Sequence, residues 1–317
     1  MIKRTQHCAD VGMQEKIGPI KDDASAVPAG SRISCRQIHE RDLDSIIELF
    51  RRGFPERKRE YWVRGLQRHA LSVIPAGYPR YGYLLEKDDA PVGATLVLCS
   101  LINVHGETKT RCNLSSWYVE PRFRCYASML VSAAIRNTQP TYVNVSPAPH
   151  TWSTIEAQGF TCYCNGHFFS VPIFSKRFPH VLVEEIKSNP LATSVLPSVE
   201  QKIVMNHADY GCLSLVLAAP DGVHPFVFLP FRLKVACITV PCMHLVYCRS
   251  VPEFARFAGH IGIALLRRRT FLVAVDADGP LDGLMGLYRG KSRMYFKGPD
   301  EPRHGDLIYT ERVLFGP

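Results

Sequence analysis

Between residues 80 and 119 the hydrophobic pattern is that of strands. RYGYLLE (80–86), ATLVLCSLINV (94–104) and RCNLSSWYV (111–119) are strand-length apolar runs. The turn-rich segments KDDAPVG (87–93) and VHGETKT (around 104–110) separate them. This reads as a meander. Ahead of it the period changes. A short alternating strand, SRISCRQI (31–38), leads into Leu43, Ile46, Ile47 and Phe50, spaced as one face of a helix with Asp42 as its cap. Gly53 and Pro55 break that helix, and a second, basic one is expected over 56–70 with Tyr61, Trp62 and Leu66 inward. A meander framed by helices points to an α/β protein with a mixed sheet.

The alternation continues. Phe123, Ala127, Leu130, Val131 and Ala134 share one face of a helix expected over 123–136. TYVNVS (141–146) is a strand, TWSTIEAQ (151–158) a short helix closed by Gly159, and 160–173 a strand. Beyond 180 the order recurs: a strand at 180–186, a helix at 197–211, a hairpin turning at Asp221-Gly222, and a strand at 243–250. A helix at 252–269, a strand at 271–280, a short helix near 281–289 and strands at 294–298 and 306–316 complete it. Residues 1–30 lack apolar periodicity and are expected to be a mobile tail. The expected division is 1–30, 31–175 and 176–317.

Hydrophobic residues make up 46% of the 317 and charged residues 21%, which excludes wholesale disorder. The longest apolar run, 92–104, is too short to span a bilayer. The N-terminus has basic residues but no apolar core, so no secretory signal is expected and a cytoplasmic protein is. Eleven cysteines without a C-x-x-C pair are read as free, mostly buried thiols. No metal site is expected, and a turn accounts for Asp276 and Asp278 in DADGP. The net charge is +9, and residues 51–68 carry seven arginines and lysines against Glu56 and Glu60. Such a run can attract phosphates or form a solvated helix face. No nucleic-acid motif accompanies it, so nucleic acid is not the expected partner.

Three segments, in order, resemble the GNAT family of acyl-CoA-dependent N-acyltransferases. LLEKDDAPVGATLVL (84–98) resembles the family's hairpin of second and third strands, in which a Gly follows the turn, and WYVEPRFRCYASMLVSAAI (117–135) its V-x-P-x-aromatic-R stretch entering the cofactor-binding helix. IEAQGF (155–160) resembles the closing helix and Gly-Phe. Together they cover roughly 31–173, and the recurrence of element order suggests a second, degenerate unit over 176–317. The resemblance implies a tandem acyl-CoA N-acyltransferase fold. It also implies transfer of an acyl group, taken to be acetyl, from acyl-CoA to an amine by direct attack.

The same resemblance assigns residues. Trp117, Tyr118 and Val119 would flank the cofactor, and Arg124, Cys125, Tyr126, Ala127, Ser128 and Met129 would meet its pyrophosphate at a helix start. Ala127 and Met129 stand where the family has glycine and a small residue, and added bulk narrows the approach to phosphate. The family's base is a carboxylate near the fourth strand, but 113–119 has none. Ser115 and Ser116 suggest a water relay, with Glu120 and Glu86 the nearest carboxylates. Ile155 replaces the family's acid tyrosine, leaving His150, Ser153 and Tyr163 as substitutes. Catalytic roles are assigned to Glu120, His150 and Ser115. In the second half Arg256-x-x-Gly259 faintly echoes the cofactor motif, or its glycines let a helix pack closely. Two other activities suit a tandem chain: aminoacyl transfer from charged tRNA, and acyl-CoA sensing without catalysis.

Overall fold

The structure is a computed structural model, and it describes residues 33–104, 106–186, 195–235 and 238–316. The expected tail, 1–30, lies outside the described residues. The first half runs β1 (Ile33–Gln37), α1 (Leu43–Gly53), α2 (Arg59–Ala70), β2 (Gly82–Lys87), β3 (Ala90–Val104) and β4 (Glu107–Val119). It continues through α3 (Ala127–Ala134), β5 (Thr141–Asn144), α4 (Trp152–Ala157), β6 (Thr161–Cys164) and β7 (Gly166–Ser170). The second half runs β8 (Leu182–Ile186), α5 (Ser198–Asp209), β9 (Leu213–Ala219), β10 (Gly222–Val235) and β11 (Ile238–Tyr247). After these come α6 (Val251–Leu266), β12 (Leu272–Ala277), β13 (Gly286–Arg289), β14 (Met294–Lys297) and α7 (Glu311–Phe315).

The strands form two seven-stranded sheets on one plan. Their orders are β1-β2-β3-β4-β5-β14-β6 and β8-β9-β10-β11-β12-β7-β13. In each sheet four strands pair antiparallel, the next step is parallel, and the last two pairings are antiparallel again. The sixth place of each sheet is filled from the other half of the chain. β14 sits between β5 and β6, and β7 sits between β12 and β13. The division expected at 175–176 falls after β7, so the two sheets exchange a strand across it.

The parallel step is short in both sheets. β4 meets β5 only over Arg111–Asn113 and Thr141–Val143, and β11 meets β12 only over Cys242–His244 and Leu272–Ala274. Beyond these contacts the strands part, since β4 runs on to Val119. A bulge sharpens the divergence: Ser116 takes a left-handed backbone, φ 54°, and Ser116 and Trp117 together face only Thr95 of β3.

Each sheet carries helices on a buried apolar face. Ile46, Ile47, Leu49 and Phe50 of α1 and Trp62 and Leu66 of α2 pack on Leu84, Leu96 and Leu98. Phe254, Phe257, Ile261 and Leu265 of α6 pack on Leu215, Phe226, Phe228 and Val273. Another core, including Val143, Val145, Val216, Val227 and Met294, joins the two sheets. Among the described residues, no helix is long and apolar enough to cross a membrane.

Three elements differ from the sequence reading. The run 160–173 breaks at Asn165 into β6 and β7, which belong to different sheets. No helix forms at 281–289; a turn there leads into the edge strand β13, whose backbone pairs with β7. The strand expected over 306–316 is a loop and α7; Thr310, of a type that favours helix starts, precedes Glu311. The cysteines differ too. Cys99 of β3 and Cys112 of β4 are direct cross-strand partners and are joined by a disulfide. Cys35, Cys125, Cys162, Cys164, Cys212, Cys242 and Cys248 are free.

Candidate active site

The two splayed openings are not empty. The segment from Gly305 onward passes through both. In the second sheet Leu307 N–H donates to Val246 O at 2.8 Å and Cys248 N–H to Gly305 O at 3.0 Å, so the segment takes the edge that β11 leaves open. It then crosses to the first sheet. Arg111 of β4, almost fully buried, donates to Ile308 O at 2.8 Å and pairs with Asp306 at 3.3 Å. Glu311 N–H donates to Asn113 Oδ1 at 2.6 Å, and Arg312 donates to Val145 O at 2.8 Å. The chain thus enters the first opening where β4 and β5 separate.

This brings a carboxylate to the strand that lacks one. The Ser115 hydroxyl on β4 and the Ser146 hydroxyl beyond β5 both donate to Glu311, one to each carboxylate oxygen. Ser116 Oγ lies 2.9 Å from Ser115 Oγ. Burial is the first influence on Glu311 and raises its pKa, outweighing the two serines and the nearby Arg312 and Arg57, which act the other way. A carboxyl raised in this way takes up a proton more readily than a solvated one. Sequence reasoning named Ser115 and missed Glu311, which is 196 residues away along the chain.

The other expected groups lie elsewhere. Glu120 follows β4 at its far end and is paired with Arg52 at 2.8 Å. Glu86 binds Ser34 at 2.9 Å and Arg36 at 2.8 Å and so pins β1 to β2. His150 is exposed in a single 3-10 turn, Pro149–Thr151, after β5. Tyr163 is buried in the core between the sheets, with its hydroxyl 3.5 Å from Met294 Sδ.

The expected cofactor residues cluster on one edge. Pro121–Tyr126 winds as a 3-10 helix straight into α3, and no residue from 121 to 129 has positive φ. The backbone therefore makes no glycine-type cradle; Ala127 and Met129 are accommodated by helical winding instead. Arg124, Cys125, Ser128 and Met129 are exposed at this start, and Tyr126 and Ala127 are half-buried. Among the described residues Arg124 makes no ion pair. Tyr118 packs on Phe54, and Val119 is buried with Leu85 and Phe123. Trp117 packs with Tyr126 and Ala127 around that core, and its buried Nε1–H has no partner among the described residues.

The basic run 51–68 divides by role. Arg51, Arg52, Arg57, Lys58 and Arg59 line an open cavity of about 870 Å³ with Glu48 and Glu60. Arg51 and Arg59 pair with Glu48, and Arg59 also pairs with Asp44. Arg64 and Arg68 turn the other way and donate to Phe315 O at 3.2 Å and Leu314 O at 3.1 Å, closing the carbonyl end of α7. In the second half Arg256 is paired with Asp221. A Cβ added at Gly259 or Gly262 would overlap the backbone at Ser175 or Ile173. Those glycines serve close packing.

No family model matches the sequence, and no curated protein does. The structure is similar to a GCN5-related N-acetyltransferase from Kribbella flavida, at 13% identity and TM-score 0.54 over 84% of this chain and 71% of that one. It is likewise similar to one from Anabaena variabilis, at 11% identity and TM-score 0.54 over 84% and 72%. At such identities the likeness is one of fold. The chain has the GNAT acyl-CoA N-acyltransferase fold, with the same strand plan in both of its sheets.

Proposed function

We propose that the protein transfers an acyl group, acetyl in the simplest case, from acyl-CoA to an amine, and that the first sheet holds the site. The observation that carries this reading is the stretch of β4 past the C-terminal segment, residues 116–119, which β5 does not pair, with a proton-accepting carboxylate beside it at Ser115. Acyl-CoA would lie along that stretch. Its pyrophosphate would meet Arg124 and the Ser128 hydroxyl at the start of α3, and an amide carbonyl of its arm would satisfy the Trp117 Nε1–H. With no glycine cradle, side chains rather than backbone carry the phosphate contact.

The amine nitrogen attacks the thioester carbonyl carbon. Glu311, directly or through the Ser115 hydroxyl, takes the proton that the nitrogen loses. The carbon–sulfur bond breaks, and the thiolate leaves to be protonated by solvent. Glu311 replaces Glu120 and the serine–water relay as the base in this reading. His150, exposed beyond β5, remains the residue to test as the acid.

The test is a thermal-shift titration with acetyl-CoA, longer acyl-CoAs, free CoA and ATP. A ligand at 100 times its Kd stabilises by ~2.7 kcal/mol, a shift of a few degrees at this size. A shift with CoA species and none with ATP supports the reading. No shift with any CoA species at millimolar concentration rejects it. The splayed edge carries the acyl-CoA reading over transfer from charged tRNA, because much of the basic run is consumed in ion pairs and in holding α7.

A further inference from the structure

Away from the β4 opening, three potential metal ligands from distant parts of the chain meet at the seam between the sheets. Cys164 ends β6 of the first sheet. Asp278 follows β12 of the second. His304 lies just ahead of the segment that fills both openings. The Cys164 Sγ, an Asp278 carboxylate oxygen and a His304 ring nitrogen lie within 4.8 Å of one another. His304 Nε2 and Asp278 Oδ2 are 3.5 Å apart. Two ligands of one tetrahedral zinc ion sit about 3.3–3.8 Å apart, given metal–ligand bonds of ~2.0–2.3 Å.

The surroundings fit a cation. Asn165 donates to Asp278 Oδ1 from its backbone N–H at 2.7 Å and from its amide at 2.9 Å, which fixes the carboxylate and leaves Oδ2 toward the cluster. The charges that act on the Cys164 thiol are those of Asp276 and Asp278, both anionic. Asp278 and His304 are partly exposed, so an ion has a way in. A neighbouring group, His167, His244 and Asp276, is a weaker candidate. Its His244 Nε2 already binds Asp276 at 2.8 Å, and the Arg312 cation acts on both His167 and Asp276.

We propose that Cys164, Asp278 and His304 bind one zinc-class divalent cation, which fastens the C-terminal segment to the seam of the two sheets. This departs from the sequence expectation of no metal. One sulfur, one nitrogen and one oxygen suit a borderline-soft ion, and water completes the fourth position. On binding, the thiol releases its proton to solvent and the Sγ–metal bond forms. His304 Nε2 exchanges its 3.0 Å contact with Tyr163 O for the metal, with its ring proton on Nδ1.

The test uses the untagged full chain, stripped with a chelator and titrated with cobalt(II) chloride. The expected result is one cobalt per chain with a thiolate-to-cobalt charge-transfer band in the near ultraviolet, displaced by zinc. Zinc should also raise Tm by a few degrees. Asp278→Asn and His304→Gln, at partly exposed positions that leave the core intact, should each weaken binding about 10-fold or more. Cys164→Ser should abolish the band and Cys35→Ser should leave it. A folded chain without the band overturns the proposal. So does a band that survives Cys164→Ser or is unmoved by His304→Gln. Cobalt bound without a band and lost on His167→Ala would place the ion on the other cluster and overturn it equally.

Discussion

Glu311 stands in an unusual balance, held by two hydroxyls and yet raised in pKa by burial. Its ionised form is favoured less in the folded chain than in the unfolded one. Its contribution to stability is therefore full below the unfolded value of about 4.3 and is lost as pH rises through the folded value. Glu311→Gln keeps the neutral form at every pH. The variant's stability relative to wild type should rise between pH 4 and pH 7 in urea titrations, and an equal difference at both would refute the assignment. In the transferase reading the same change should cut the acyl-transfer rate by ~10²–10⁴ while leaving acyl-CoA affinity intact. Arg124→Ala should do the reverse, weakening acyl-CoA binding by about 1.5–3 kcal/mol, read by calorimetry. Unchanged affinity in that folded variant would remove Arg124 from the site. Buried imidazoles set the acid limit. Burial pushes His69 and His207 down to about 4 and His167 to about 3. Their stabilising effect is present above the unfolded value of about 6.5 and fails as pH falls toward those values. Each should add up to about 1.4 kcal/mol per pH unit to the slope of stability against pH in that window. A flat profile from pH 7 to 4 would contradict this. Ser115 was legible in the sequence because its strand was. Glu311 was not, because what brings it there is a long-range path and no local pattern.

At the scale of elements, α7 shows why a short helix near a chain end is hard to read. DLIYTERVLF satisfies strand alternation as well as helix period, and tertiary docking decides between them. Phe315 packs on Trp62 and Tyr61, while Gly65 of α2 leaves the space its ring occupies. Arg64 and Arg68, read from sequence as members of a charged face, hold its carbonyls. Gly65→Ala would drive a methyl into the Phe315 ring and should cost about 1–3 kcal/mol in thermal or urea unfolding. An unchanged midpoint would mean that α7 does not dock as described. The long elements, by contrast, were plain in the sequence. β3 contains an apolar run buried over eight consecutive residues, and α6 carries a helical period that its burial follows. β6 and β7 were fused in the sequence reading although Asn165-Gly166 between them marks a turn; that the turn also changes sheet is decided by pairing with distant strands.

At the scale of the whole molecule, the repeated order of elements was visible in the sequence, and the two sheets do share a plan. The exchange of β7 and β14 was not visible, since pairing partners more than a hundred residues apart leave no periodic trace. It makes the halves interdependent. A fragment ending at 175 lacks β14, so β5 and β6 lose the strand between them; a fragment starting at 176 lacks β7, so β12 and β13 do. Each fragment expressed alone should be insoluble or unfolded by circular dichroism, and the two co-expressed should assemble. Either fragment folding alone would show that the exchange is dispensable. The same exchange has a consequence for the chain as it is being made. About 130 residues separate Cys164 from Met294. At 5–20 residues per second, roughly 6–26 s elapse between synthesis of β6 and of the strand that joins it to β5. For that interval the nascent first sheet carries two unsatisfied backbone edges, the kind of surface that chaperones shield and that aggregation exploits. How fast a ribosome translates the second half thus bears directly on how much of the first half survives to be completed.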